Sequence, residues 1–148
     1  MGDMKLLRVV LDTNVLVAAL RSGSGASRQL LLALRDERYS AVVSVPLFIE
    51  YEATLKRTEL LKETRFTLDD IDELLDIIAA WCEQTDIHFS WRPQLRDPND
   101  EMVLETALNS RADALVTFNR TDFAEACVTL GVELWSPSEF LERLRKRS

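Results

Sequence analysis

Cysteine, glycine, proline and histidine are all scarce in this chain, and each shortage closes off a class of protein. The two cysteines, Cys82 and Cys127, lie far apart and match no metal or redox spacing, so they are expected as reduced thiols in apolar surroundings. The single histidine, His88, reads as a strand or surface residue rather than a ligand. With 4 Gly and 4 Pro in 148 residues there is no low-complexity tract and no linker, and no Gly-rich loop of the kind that cradles nucleotide phosphates. No apolar run approaches the length of a membrane span. The start, "MGDMKLLRVV", lacks the apolar segment and cleavage site of a signal peptide, and Leu6 stands where myristoylation needs Ser or Thr. The expectation is a cytoplasmic protein with no membrane partner.

What remains is a chain of 47% apolar residues, long enough for a substantial core and read as one domain over residues 1–148. The net charge is −7, from 25 acids and 18 bases, which runs against the basic face that nucleic-acid binding favours. Much of that excess is local: "TLDDIDELLDIIAAWCEQ" (67–84) alone holds six acids and no base. The sign of the total therefore speaks to solubility more than to any site.

Short β-rich runs alternate with helical patterns. "LRVVL" (7–11), "SAVVS" (40–44), "DIHFS" (86–90), "ALVT" (114–117) and "VELW" (132–135) read as strands. The stretches between them read as helices, most clearly 67–84, where Ile71, Leu74, Leu75, Ile78 and Cys82 make one stripe behind a Thr67 cap. Such alternation predicts an α/β fold with a parallel sheet covered on both faces. In that architecture ligands gather beyond the carboxyl ends of the strands, near the point where strand order reverses.

Carboxylates stand at those ends. Asp12 follows the first strand and could be no more than a helix cap. Glu50 and Glu52 lie early in the helix after the second strand. Periodicity does not choose between them, but Glu52 has Lys56 as a partner four residues on and Glu50 has none, which favours Glu50. Asp97, before Pro98, reads as an N-cap, and Asp100 suits the first turn of the same helix. Asp100 also lines up with Val103, Leu104 and Ala107, which points it inward, where a carboxylate needs a partner or a metal. After the fourth strand, Asn119 and Asp122 again fit a cap and a first turn. Each local reading is adequate alone. Four segments sending acids to one sheet edge are better explained by a divalent cation, and oxygen-only donors suit Mg²⁺ or Mn²⁺ rather than zinc.

Together, "VVLDTNVLVAAL", "LFIEYEATL", "RDPNDEMVLETAL" and "ALVTFNRTDF" resemble the PIN-domain family, in particular its branch of bacterial type II toxin–antitoxin toxins. The resemblance runs nearly the whole length of the chain, through "GVELWSPSEFL". It implies a three-layer α/β/α sandwich with strand order 3-2-1-4-5 and a Mg²⁺- or Mn²⁺-dependent endoribonuclease. Its partners would be RNA, a cognate antitoxin protein and a second copy in a homodimer. Residue by residue, it implies that Asp12, Glu50, Asp100 and Asp122 are catalytic, and that Asp12, Asp97, Asp100 and Asp122 hold the metal. Thr13 and Asn14 would orient the site, with Thr117 and Asn119 in support. Asn119 falls where many relatives have Asp, which leaves Asn119 and Asp122 as two candidates for that position. Arg21, Arg28, Arg96 and Arg120 are candidates for the RNA backbone or, equally, solvated surface charge. The competing reading is a catalytically silent PIN-fold module that binds RNA or a protein partner.

Overall fold

The computed structural model of the chain describes residues 5–88 and 97–147. Within them the order is β1 (Arg8–Leu11), α1 (Thr13–Arg21), α2 (Ala26–Arg35), β2 (Ser40–Val43), α3 (Val45–Leu55), α4 (Thr58–Thr64) and α5 (Leu68–Trp81). There follow β3 (Glu83–Gln84), α6 (Pro98–Ser110), β4 (Ala114–Val116), α7 (Arg120–Leu130), β5 (Glu133–Trp135) and α8 (Pro137–Lys146). The five strands form one sheet in the order β3-β2-β1-β4-β5, and every pairing is parallel. This is the α/β/α sandwich with order 3-2-1-4-5 that the family resemblance implied.

The central strands show why two helical layers are needed. Consecutive residues of a strand point to opposite faces, yet Val9 and Val10 are both fully buried, as are Ala114, Leu115 and Val116. α6 packs across β1, β2 and β4, whereas α2 packs against α1 and α8. Helix starts follow their local chemistry. Ser44 caps α3 through Leu47 N, ahead of Pro46. Thr67 and Asp70 close a capping box on α5, and Ser136 and Glu139 close one on α8.

Two expectations need correction. The third strand is Glu83–Gln84, not 86–90: residues 85–88 carry no strand, and 89–90 lie outside the described residues. A two-residue edge strand with both side chains exposed has no hydrophobic pattern to betray it. Helix α5 ends at Trp81, and Cys82 is its extended C-cap rather than the last member of the stripe. α6 buries more than its apolar stripe, since Glu101 and Glu105 are also buried, each with an interaction partner.

Candidate metal centre

Strand order reverses between β1 and β4, because β1 continues in sequence toward β2 on one side and meets β4 on the other. The register pairs Leu11 with Val116, so the next residues, Asp12 and Thr117, face each other at the carboxyl edge. Asp12 N donates to Val116 O at 2.9 Å, and Thr117 N donates to Trp135 O at 3.0 Å.

Asp12 occupies the N-cap position of α1 but makes no side-chain cap bond. Its carboxylate turns to the neighbouring strand instead, where Thr117 Oγ1 donates to Oδ2 at 2.6 Å. Asp12 is buried, and Thr117 is fully so. Burial is the main cause that raises the Asp12 pKa; the hydrogen bonds from Thr117 and the Thr13 backbone oppose it, and the charges of Glu50 and Asp97 add to it. Asn14 braces the turn after β4: its Nδ2 reaches Thr117 Oγ1 at 3.4 Å and its Oδ1 accepts from Phe118 N at 3.5 Å. Asn119 N donates to Thr117 Oγ1 at 3.0 Å, while the Asn119 side chain, at the N-cap of α7, caps nothing.

α3 brings Glu50 to the same edge. Glu50 is half-buried, accepts from Thr54 Oγ1 at 2.9 Å, and its charge reaches Asp12. Glu52 is exposed and paired with Lys56 at 3.0 Å, and Lys56 also meets Asp72 at 2.6 Å. At the start of α6, Asp97 caps the helix through Asn99 N at 2.9 Å. Half-buried Asp100 sits one turn in. Its pKa is pushed up to about 6, first by desolvation and then by the charges of Asp12, Asp97, Asp122 and Glu101. Asp122, in the first turn of α7, is exposed.

The structure thus brings Glu50, Asp97 and Asp100 within electrostatic reach of Asp12 and brings Asp97 and Asp122 within that of Asp100, and the charges that shift Asp12 and Asp100 are all negative. Among the described residues no three acids, imidazoles or thiols stand together as a ready-made metal shell. An open set of mutually repelling oxygens fits a hard divalent cation, whose charge would offset their repulsion. The donor chemistry fits Mg²⁺ or Mn²⁺ and lacks the imidazole and thiolate donors typical of zinc sites.

The arginines are placed less uniformly. Exposed Arg21 pairs with Glu63 at 2.5 Å, and exposed Arg120 pairs with Glu139. Half-buried Arg28 donates from Nε to Ala19 O at 2.8 Å, which ties α2 to α1. Arg96 lies outside the described residues.

Two polar features beside the site escaped the sequence reading. Ser44 Oγ and Thr106 Oγ1 share a buried hydrogen bond of 2.7 Å that links the start of α3 to α6. Tyr51, buried on the Leu47/Tyr51/Leu55 face of α3, donates its hydroxyl to Leu11 O at 2.5 Å. A tyrosine in an apolar helical stripe is itself a signal, since its hydroxyl must find an acceptor; the acceptor's identity has no sequence signature.

The PIN domain family model matches residues 8–121, a span that contains four of the five converging acids, all but Asp122. No curated protein matches the chain. Among solved structures, the chain is similar to one described as the crystal structure of VapBC2 from Rickettsia felis bound to a DNA fragment from their promoter. The TM-score is 0.61 at 17% identity, covering 88% of this chain and 98% of that one.

Proposed function

The chain belongs to the PIN-domain family, and on that premise we propose that residues 1–148 form one PIN domain acting as a Mg²⁺- or Mn²⁺-dependent endoribonuclease, the toxin of a toxin–antitoxin pair. The observation that carries the reading is the convergence of five acids from four chain segments near the β1/β4 edge, where the charges that shift Asp12 and Asp100 are all negative. PIN domains are generally nucleases, and hard cations held by carboxylates are the usual equipment for phosphodiester hydrolysis.

In this reading Asp12, Asp97, Asp100 and Asp122 hold the cation, and Glu50 completes the catalytic set. A bound divalent cation supplies Lewis acidity toward the phosphodiester and charge for the leaving oxygen. The chain supplies orientation. Thr117 and the Thr13 N–H bond the carboxylate of Asp12, Asn14 ties the loop after β1 to the loop after β4, and the Asn119 N–H holds Thr117 Oγ1. Asp122 is the acid of its loop that serves the metal, because a carboxylate is a far better ligand for a hard cation than the Asn119 amide. Exposed Phe118 offers a ring on which a base of single-stranded RNA can stack. Arg21 and Arg120 can exchange weak surface pairs for phosphate contacts; Arg28, spent on Ala19 O, is the poorer candidate.

The toxin assignment draws its support from the sequence resemblance and from the fold shared with VapBC2. A cognate antitoxin is then the protein partner, with homodimer assembly and a cytoplasmic location alongside its RNA. Among the described residues no helix is long and apolar enough to cross a membrane.

Incubation with single-stranded RNA tests the activity. Cleavage is expected in Mn²⁺, none in EDTA, and none with Asp12→Asn in either. Cleavage by the variant at the rate of the unmodified chain would contradict the reading.

A further inference from the structure

We propose that Tyr51 is a positioning residue that sets the separation between Asp12 and Glu50. The proposal rests on the metal-centre reading above. Tyr51 follows Glu50 directly in α3, and Leu11, whose carbonyl accepts the Tyr51 hydroxyl at 2.5 Å, directly precedes Asp12. One hydrogen bond therefore joins the neighbours of two acids that lie 38 positions apart in sequence (50 − 12). Consecutive helical residues point about 100° apart. Tyr51 can thus aim into the core while Glu50 stays at the sheet edge, half-buried and electrostatically coupled to Asp12.

The other hydrogen bonds of Asp12 run to β4 and to its own turn into α1, where Val15 N donates to Asp12 O at 2.9 Å. Its N–H bonds Val116 O, and its carboxylate accepts from Thr117, both at the end of β4. Those contacts fix Asp12 relative to the loop that carries Asn119 and Asp122. They do nothing for its distance from α3. Tyr51 ties the end of β1 directly to α3.

A buried tyrosine must satisfy its hydroxyl whatever its role, and Tyr39 shows what that looks like without a site. Tyr39 is buried to a similar degree and donates to Leu30 O at 2.8 Å, within α2, packed edge-on against Phe140. None of the five acids flanks either end of that bond. Tyr39→Phe is therefore a matched control for Tyr51→Phe: each removes one hydroxyl and keeps the ring that packs the core.

The test titrates the full chain with Mn²⁺ alone, reads free Mn²⁺ by electron paramagnetic resonance, and records melts in EDTA. Both Phe variants are expected to melt lower in EDTA than the unmodified chain. Only Tyr51→Phe should weaken Mn²⁺ binding, on the order of tenfold, the loss typical of groups that hold metal ligands in place. In RNA cleavage at saturating Mn²⁺, the same substitution should lose most of its effect in a Glu50→Gln background, because the acid it positions is gone. Unchanged Mn²⁺ affinity in Tyr51→Phe, an equal loss in Tyr39→Phe, or full additivity with Glu50→Gln would each overturn the proposal. Failure of the unmodified chain to bind Mn²⁺ would instead bring down the metal-centre reading, and the proposal with it.

Discussion

The two ends of β1 lie only a few residues apart and treat charge in opposite ways. At the amino end, Arg8 is met by complementary groups. Arg8 N donates to Asp113 Oδ2 at 2.8 Å, Arg8 Nη1 donates to Ser110 O at 2.9 Å, and the guanidinium pairs with Glu83. At the carboxyl end, Asp12 meets Glu50 and Asp97, and Asp100 feels the charges of Asp12, Asp97, Asp122 and Glu101. The amino end looks as a chain looks when only stability is at stake. The carboxyl end keeps a repulsion that folding alone has no use for, and a fold that tolerates one points to a ligand that relieves it.

The largest way to break that contrast is to mutate each end. Asp12→Asn should lower metal-dependent RNA cleavage about 100-fold or more, the upper range for disturbing even the groups behind a metal ligand. Glu83→Gln, at the other end of the sheet, should leave cleavage unchanged. Equal losses from both would mean that the assay reports folding.

A second division runs through α3, where Glu50 faces the site and Glu52 faces solvent. Glu50→Gln should cut cleavage strongly at nearly unchanged stability. Glu52→Gln should cost on the order of 0.5 kcal/mol through its pair with Lys56 and nothing in activity. Rates and chemical melts of the two variants, side by side, check this; the reverse pattern would move the site acid to Glu52.

The pH dependence follows from Asp100. Its folded-state pKa is about 6, above the ordinary 3.8 of the unfolded chain. Between those values the folded protein binds the extra proton, so metal-free stability falls as pH rises through about 6. Removing the charge should help where it repels. At pH 7.5 in EDTA, Asp100→Asn should melt at or above the unmodified chain, and the gap should close as pH falls toward 4. If Asp100 served only the dipole of α6, its loss would instead cost up to roughly 1 kcal/mol at pH 7.5. Melts of both proteins across this range decide between them.

The smallest effect belongs to the amino end itself. Glu83→Gln removes a partly exposed pair, and surface pairs of that kind contribute about 0–1 kcal/mol. A larger loss would show that the Arg8 network is structural in a stronger sense than its exposure suggests.

How much of this was readable beforehand depends on whether a feature is local. β1, β2, β4 and β5 announced themselves as short apolar runs between helical patterns, and the Thr67 and Asp97 caps follow from residues two or three positions away. The edge strand Glu83–Gln84 and the short helix α4 carry no comparable pattern. The acids were legible because strand ends can be found from the same apolar runs, and a parallel sheet puts those ends on one edge. Tyr51 on Leu11 O, Thr117 on Asp12 and Ser44 on Thr106 join residues 40, 105 and 62 positions apart, which no local pattern encodes. Asp12 shows the difference best. Its position is that of a helix cap, and only the tertiary structure reveals that its carboxylate serves the neighbouring strand instead.

The central claim, that these acids form a divalent-cation site, is tested most directly by the melting temperature with and without Mn²⁺. A cation that binds the folded state alone raises the melting temperature with its concentration. The unmodified chain should be stabilised by Mn²⁺, and Asp12→Asn should lose that increment while folding normally in EDTA. An increment of the same size in the variant would place the metal elsewhere and contradict the account.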